Sequence, residues 1–150
     1  MAESPLKQKI TEAMKDAMRA KDKDRLGTIR LALSEIKRVE VDERIDPDEA
    51  RILAILDKMV KQRKESIRQY EAGGRQDLAD REQAEIVILQ EFLPEAISEA
   101  DLTRMLEAAI AETGASSMKD MGKVMGIVRP QLMGRADMAD VSNRIKALLG

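Results

Sequence analysis

Histidine, cysteine and tryptophan are absent from this chain, and its 150 residues include one phenylalanine and one tyrosine. Without cysteine there is no thiol nucleophile, disulfide, zinc knuckle or iron-sulfur ligation. Without histidine there is no Ser-His triad, most zinc sites fall away, and so does the usual proton shuttle near neutral pH. Any catalysis would rest on Lys, Ser, Thr, Tyr or carboxylates. Two-metal centres in helical bundles take a Glu-x-x-His pair from each of two helices. The nearest spacing here is Glu82 and Glu85, which lacks the histidine and reads as solvated helix charge. No metal and no cofactor is expected. Long apolar runs are missing too: Ile86 to Leu89 is typical, far short of the roughly 20 residues that span a bilayer. The opening MAESPLKQKI has no apolar stretch of signal-peptide length, so no membrane association is expected and the expected location is the cytoplasm.

What is present favours helix. Charged residues make up 36% of the chain, the formal net charge is -2, and ten methionines must fill a core that has almost no aromatic rings. Strand signals are essentially missing, so the fold class is all-α. A first helix is expected from Pro5, behind the capping residue Ser4, to Ala20, with Leu6, Ile10, Met14 and Met18 inward. Asp22 and Asp24 mark a break. A second carries Leu26, Ile29, Leu33, Ile36 and Val39 and stops near VDERIDPDEA. A third runs from Pro47 to Ala72, burying Ile52, Leu53, Leu56, Met59, Val60 and Ile67, and ends at Gly73-Gly74. A fourth extends from Asp77 to Phe92.

Leu93-Pro94 then interrupts the pattern, because proline cannot continue a helix and disfavours helical geometry in the residue before it. This places a domain boundary there: a four-helix domain over 1–94 and a three-helix domain over 95–150. In the second, Ser98 with Asp101 caps a helix carrying Leu102, Leu106 and Ile110 that ends at Gly114. The next spans Ser117 to Met133 with Met121, Val124, Met125, Val128 and Leu132 inward and a bend at Pro130. Asp137 caps the last, with Val141, Ile145, Leu148 and Leu149 inward.

Thr113 to Asp137, TGASSMKDMGKVMGIVRPQLMGRAD, holds four glycines and four basic residues. Inside a helix Gly122 and Gly126 each cost about 1 kcal/mol relative to alanine. That cost suggests a close approach to the backbone along their face. Lys119, Lys123, Arg129 and Arg135 surround them, with Gly134 nearby, and a phosphate backbone suits such a surface. Glycines four apart also fit the close packing of two helices. Charge is uneven in the same sense: residues 117–150 carry six basic and three acidic side chains, residues 96–116 one and four. A second basic face lies on the third helix, where Lys61, Lys64 and Arg68 fall within about 60° of one another, with Lys58 and Arg75 nearby and Glu65 and Glu71 diluting it.

Three segments carry a family resemblance: RLGTIRLALSEIKRVEVD, KQRKESIRQYEAGGRQDLADREQAEIVILQEFLP, and TGASSMKDMGKVMG with GRAD. Together they make the chain similar to the YqeY family, free-standing relatives of the C-terminal tail of GatB, the B subunit of the glutamine-dependent Asp-tRNA/Glu-tRNA amidotransferase. The resemblance implies an N-terminal helical domain and a small three-helix C-terminal domain. It also implies contact with tRNA or another structured RNA through Lys119, Lys123, Arg129 and Arg135, since the tail helps hold tRNA in the amidotransferase. Activation and amide transfer belong there to a separate cradle domain, and this chain has no Walker-type glycine loop and no Ser-Lys amidase signature. No catalysis by the isolated chain is expected. Two alternatives are an auxiliary subunit of an amidotransferase, a glutamine-dependent carbon-nitrogen ligase, or another tRNA-processing enzyme, and a helical protein-interaction module.

Overall fold

The computed structural model describes residues 4–150. It is all-α, with seven α-helices, one short 3-10 turn and no strand among the described residues. Contacts divide the chain into two compact units, one reaching to Pro94 and the other Glu95–Gly150.

The first unit holds α1 (Pro5–Ala20), α2 (Lys23–Glu43), α3 (Glu49–Ala72) and α4 (Gln76–Gln90). Ser4 Oγ accepts from the Leu6 N–H at 3.2 Å and Pro5 takes the first turn, as expected for a start whose leading N–H groups have no helical partner. The chain leaves α1 through Lys21 and α2 through Arg44, both in the left-handed region, at φ 57° and φ 55°. α3 pairs most extensively with α4, and α1 with α2. Ile10, Ile29, Ile36, Ile52, Leu56 and Leu89 are completely buried between them, an aliphatic core closed by Phe92. Thr28 is the buried polar residue, and its hydroxyl bonds back to the Asp24 carbonyl.

Several expected boundaries shift for local reasons. α3 starts at Glu49, after Pro47, because the Asp48 carboxylate caps the Arg51 N–H at 2.9 Å. α4 ends at Gln90, before Phe92, which lies in the turn that follows. Met18 is 49% exposed although it continues the series Leu6, Ile10, Met14. Steps of four residues drift about 40° each on a helix, so the stripe has turned off the core by its fourth member and Ala17 takes the inward place.

The second unit holds α5 (Glu99–Thr113), the 3-10 turn Met118–Asp120, α6 (Met121–Leu132) and α7 (Met138–Leu149). Ser98 caps α5 through the Asp101 N–H, Asp137 caps α7 through the Ala139 N–H, and Gly114 closes α5 at φ 67°. The expected helix from Ser117 begins instead as the 3-10 turn, because the Asp120 carboxylate folds back to accept from the Ser116 N–H at 3.0 Å. α6 runs through Pro130 to Leu132. Leu102, Leu106, Val124, Val128, Leu132, Val141 and Ile145 form the core. Leu148, in the last turn, is 48% exposed, while Leu149 packs against the core.

Methionine serves mainly as filler. Met59 is buried, and Met14, Met105, Met121, Met125 and Met138 pack around the two cores. No helix among the described residues is long and apolar enough to cross a membrane.

Candidate nucleic-acid interface

α6 is two-faced. Val124, Val128 and Leu132 are fully buried, and Gly122, Gly126 and Pro130 repeat at the same interval on the opposite side, exposed. A Cβ placed on Gly122 or Gly126 would have nothing within 4 Å. Close helix packing therefore does not account for these glycines: among the described residues no helix leans on them. Pro130 adds a second local feature, since it has no N–H to give the Gly126 carbonyl, four residues earlier in the helix. The solvent face of α6 is thus bare backbone with a carbonyl freed from its usual donor.

The cations around this ridge differ in their commitments. Lys119 and Arg129 are exposed, and neither has an ion-pair partner among the described residues. The Lys123 side chain is 71% exposed and lies 3.9 Å from Asp120, at the limit of a salt bridge. Asp120 is held below the usual carboxylate range first by the Ser116 N–H and also by that of Ser117, with the Lys123 charge a lesser cause. Its negative charge is therefore satisfied mainly by backbone, which leaves Lys123 available.

Arg135 and Gly134 have other work. The Arg135 Nε donates to the Glu95 carbonyl at 3.1 Å, and the Arg135 carbonyl accepts from the Ile97 N–H at 3.1 Å. Arg135 thus ties the segment before α5 to the turn between α6 and α7, with one hydrogen bond in each direction. Gly134 has φ 79°, the left-handed region in which a Cβ is costly, so the turn itself accounts for this glycine. Arg144, counted in the basic end of the sequence, is held between Asp140 at 2.9 Å and Glu99 at 2.8 Å.

The secondary face on α3 is largely neutralised. Lys61 pairs with Asp57 at 3.4 Å, Arg68 pairs with Glu65, and Arg75 pairs with Asp77 at 3.1 Å. Lys58 and Lys64 alone among the five candidates have no ion-pair partner among the described residues. Arg75 lies before α4, beyond the turn that ends α3.

Glu82 and Glu85 sit half-buried on α4. Arg63 bonds Glu85 at 2.8 Å and the Met59 carbonyl at 3.2 Å, joining α3 to α4. Burial, then the Glu85 charge, raises the Glu82 carboxyl above its ordinary value. Among the described residues no three acidic side chains converge as a metal site would require.

Comparison with known proteins supplies the family. Over 140 residues the chain is 29% identical to "Altered inheritance of mitochondria protein 41, mitochondrial" of Pyrenophora tritici-repentis, covering 91% of this chain and 77% of that protein. It is 34% identical over 89 residues to an uncharacterized protein of Schizosaccharomyces pombe, covering 59% of this chain and 72% of the relative. A protein of the first name from Lachancea thermotolerans is 36% identical over 111 residues, covering 72% of this chain and 59% of its own length. The family model described as Yqey-like protein matches residues 7–149, and the chain belongs to that family.

Proposed function

We propose that this chain is a non-catalytic accessory protein that contacts structured RNA, tRNA being the leading class, through the solvent face of α6. The observation that carries the reading is the pairing of open glycine backbone at Gly122 and Gly126 with the exposed cations Lys119 and Arg129 and with Lys123, held only by a 3.9 Å pair to Asp120. Phosphates are positioned by such cations, the carbonyl freed at Gly126 can accept from a ribose 2′-hydroxyl, and a bare helix lets a bulky polyanion come close. The similarity of this segment to the tRNA-holding tail of GatB supports the same ligand class.

In this reading residues 1–94 and 95–150 are two domains, a four-helix one and a three-helix one that resembles the GatB tail. The names of two of the relatives place those proteins in mitochondria. For this chain we propose an aqueous compartment that holds tRNA, which the cytoplasm and the mitochondrial matrix both satisfy.

The test is fluorescence anisotropy with folded tRNA across several salt concentrations. Three phosphate contacts give a slope of log K against log salt of about -2 to -3, and each lost contact lowers its magnitude by about one. Lys119→Gln, Lys123→Gln and Arg129→Gln together should lower the magnitude of the slope by about two to three while circular dichroism stays unchanged. Arg135 is left out because its loss would disturb the Glu95 contact as well. A triple variant that binds like the parent protein refutes the assignment of this face.

A further inference from the structure

The solvent side of α2 carries a line of cations that the family resemblance does not touch. Lys23, Arg30, Lys37 and Arg44 recur every seven residues, and all four are exposed. A seven-residue repeat drifts only about 20° per step on an α-helix. Lys23, Arg30 and Lys37 therefore occupy a strip about 40° wide, and Arg44 continues the line from the left-handed C-cap, the whole running for about 30 Å along the 21-residue helix and its cap. None of the four has an ion-pair partner among the described residues.

Other cations of the first unit are answered by carboxylates, although Lys58, Lys64 and Arg81 also have no ion-pair partner among the described residues. Arg19 pairs with Asp16, Arg38 with Glu35, Arg51 with Glu43, Arg63 with Glu85 and Arg75 with Asp77. The acidic residues of α2 itself are turned elsewhere. Glu40 is occupied by Lys7 at 2.7 Å, Glu35 by Arg38 and Glu43 by Arg51. Asp24 and Asp42 lie about 100° around the helix from Lys23, at the edge of the exposed sector. Val41 falls within the strip and Leu26, Gly27 and Ser34 flank it, none of them charged. A chain with net charge -2 thus presents a cationic line on one helix, its Lys23 end sharing a groove with Asp24, Asp77 and Asp80.

We infer that the solvent face of α2 is a second polyanion-binding surface, on which Lys23, Arg30, Lys37 and Arg44 track the phosphate backbone of an RNA strand. The strip is linear, and its charges stand about 10 Å apart, which matches a linear polyanion better than a compact anion. A lipid surface fits less well. The exposed apolar residues there, Leu31 and Val41, are isolated, and the strip has no aromatic residue to seat at a headgroup interface. The choice of RNA rests on the reading of α6 given above, whereas the surface itself rests on α2 alone.

The experiment uses the full chain with Lys23→Gln, Arg30→Gln, Lys37→Gln and Arg44→Gln combined, beside the single variant Arg30→Gln and the α6 triple variant. The probes are folded tRNA and vesicles of phosphatidylcholine with phosphatidylserine. The α2 variant should keep its thermal midpoint, since these side chains make no ion pair. It should lower the magnitude of the salt slope by about three and weaken tRNA binding on the order of 10²- to 10³-fold at 0.1 M salt, and Arg30→Gln should lower the slope by about one. If the α2 variant and Arg30→Gln bind tRNA like the parent while the α6 variant fails, the α2 surface is refuted and the α6 reading stands. Loss of binding in the α2 variant alone supports the α2 surface and sinks the α6 assignment. Binding to vesicles that disappears in the α2 variant, with tRNA binding untouched, overturns the RNA assignment in favour of a membrane. A parent protein that binds neither probe overturns both.

Discussion

Gly126→Ala should make the second unit more stable, and the reason is the emptiness of the space around it. Gly126 lies in the interior of α6, five residues from its first residue, Met121. A Cβ there meets nothing within 4 Å, so the substitution creates no clash and removes no packing. What remains is helix propensity, which favours alanine over glycine by about 1 kcal/mol in a helix interior. For a unit of 95–150, that corresponds to a rise in melting temperature of about 4 to 8 °C. Gly122→Ala, in the first turn of α6, should give less, because that turn holds fewer helical hydrogen bonds. Thermal unfolding followed by circular dichroism measures both. The same Gly126→Ala protein should bind tRNA more weakly, and Gly126→Leu, whose helix propensity is close to that of alanine, more weakly still at similarly raised stability, because the side chain fills the approach to the backbone. A fall in melting temperature for Gly126→Ala would refute the open-face geometry. A rise in stability with undiminished affinity for both variants would leave the glycines without a role in binding.

Leu106→Ala, at a position 1% exposed in the smaller core, should cost about 2 to 5 kcal/mol and unfold the second unit at moderate temperature, visible as lost helical signal. Arg135→Gln removes the Nε donor to Glu95 and should cost about 1 kcal/mol of stability in urea titration without changing the salt slope of RNA binding. Glu82→Gln should stabilise the protein at pH 7: the folded-state pKa of Glu82 is raised by burial, so the native state binds its proton more readily than the unfolded one. That cost is fully present above the folded pKa and fades as pH falls towards the unfolded value, so urea midpoints of parent and variant should converge near pH 4. Purified protein should hydrolyse neither ATP nor glutamine and should not amidate mischarged tRNA. Turnover that copurifies at constant specific activity would contradict the non-catalytic reading.

The helices were legible in the sequence because periodicity and caps agreed with one another. Ile29, Ile36, Leu56, Leu106, Val124, Val128 and Ile145 stand where helical spacing put them, inside the cores. Ser4, Ser98 and Asp137 cap the helices they were expected to cap. The misses have physical causes. A stripe of four-residue steps was extended to Met18 although such a stripe drifts across the helix surface. The helix expected from Ser117 opens as a 3-10 turn because Asp120 spends its carboxylate on the Ser116 N–H, a local bond that competes with helix formation. At the candidate site, spacing could not distinguish glycines that receive a neighbour from glycines that face water. Gly134 differs again, since its positive φ belongs to a turn.

Charge was the least legible quantity, because a count of side chains ignores which of them are already paired. The face around the third helix looked basic by number, yet three of the five candidate cations there, Lys61, Arg68 and Arg75, have carboxylates beside them. α2 is neutral by number, since Asp24, Glu35, Glu40, Asp42 and Glu43 offset its basic residues. In the fold three of those carboxylates are drawn off by Lys7, Arg38 and Arg51. The line from Lys23 to Arg44 is left exposed and without ion-pair partners among the described residues. An acidic protein can in this way present lines of positive charge without becoming basic overall, and the low net charge limits attraction to polyanions that do not meet those lines. Binding built on such lines should weaken steeply with salt while depending on few residues. Raising the net charge elsewhere, by neutralising exposed acids far from α2 and α6, should then change affinity much less than removing a single cation from either surface.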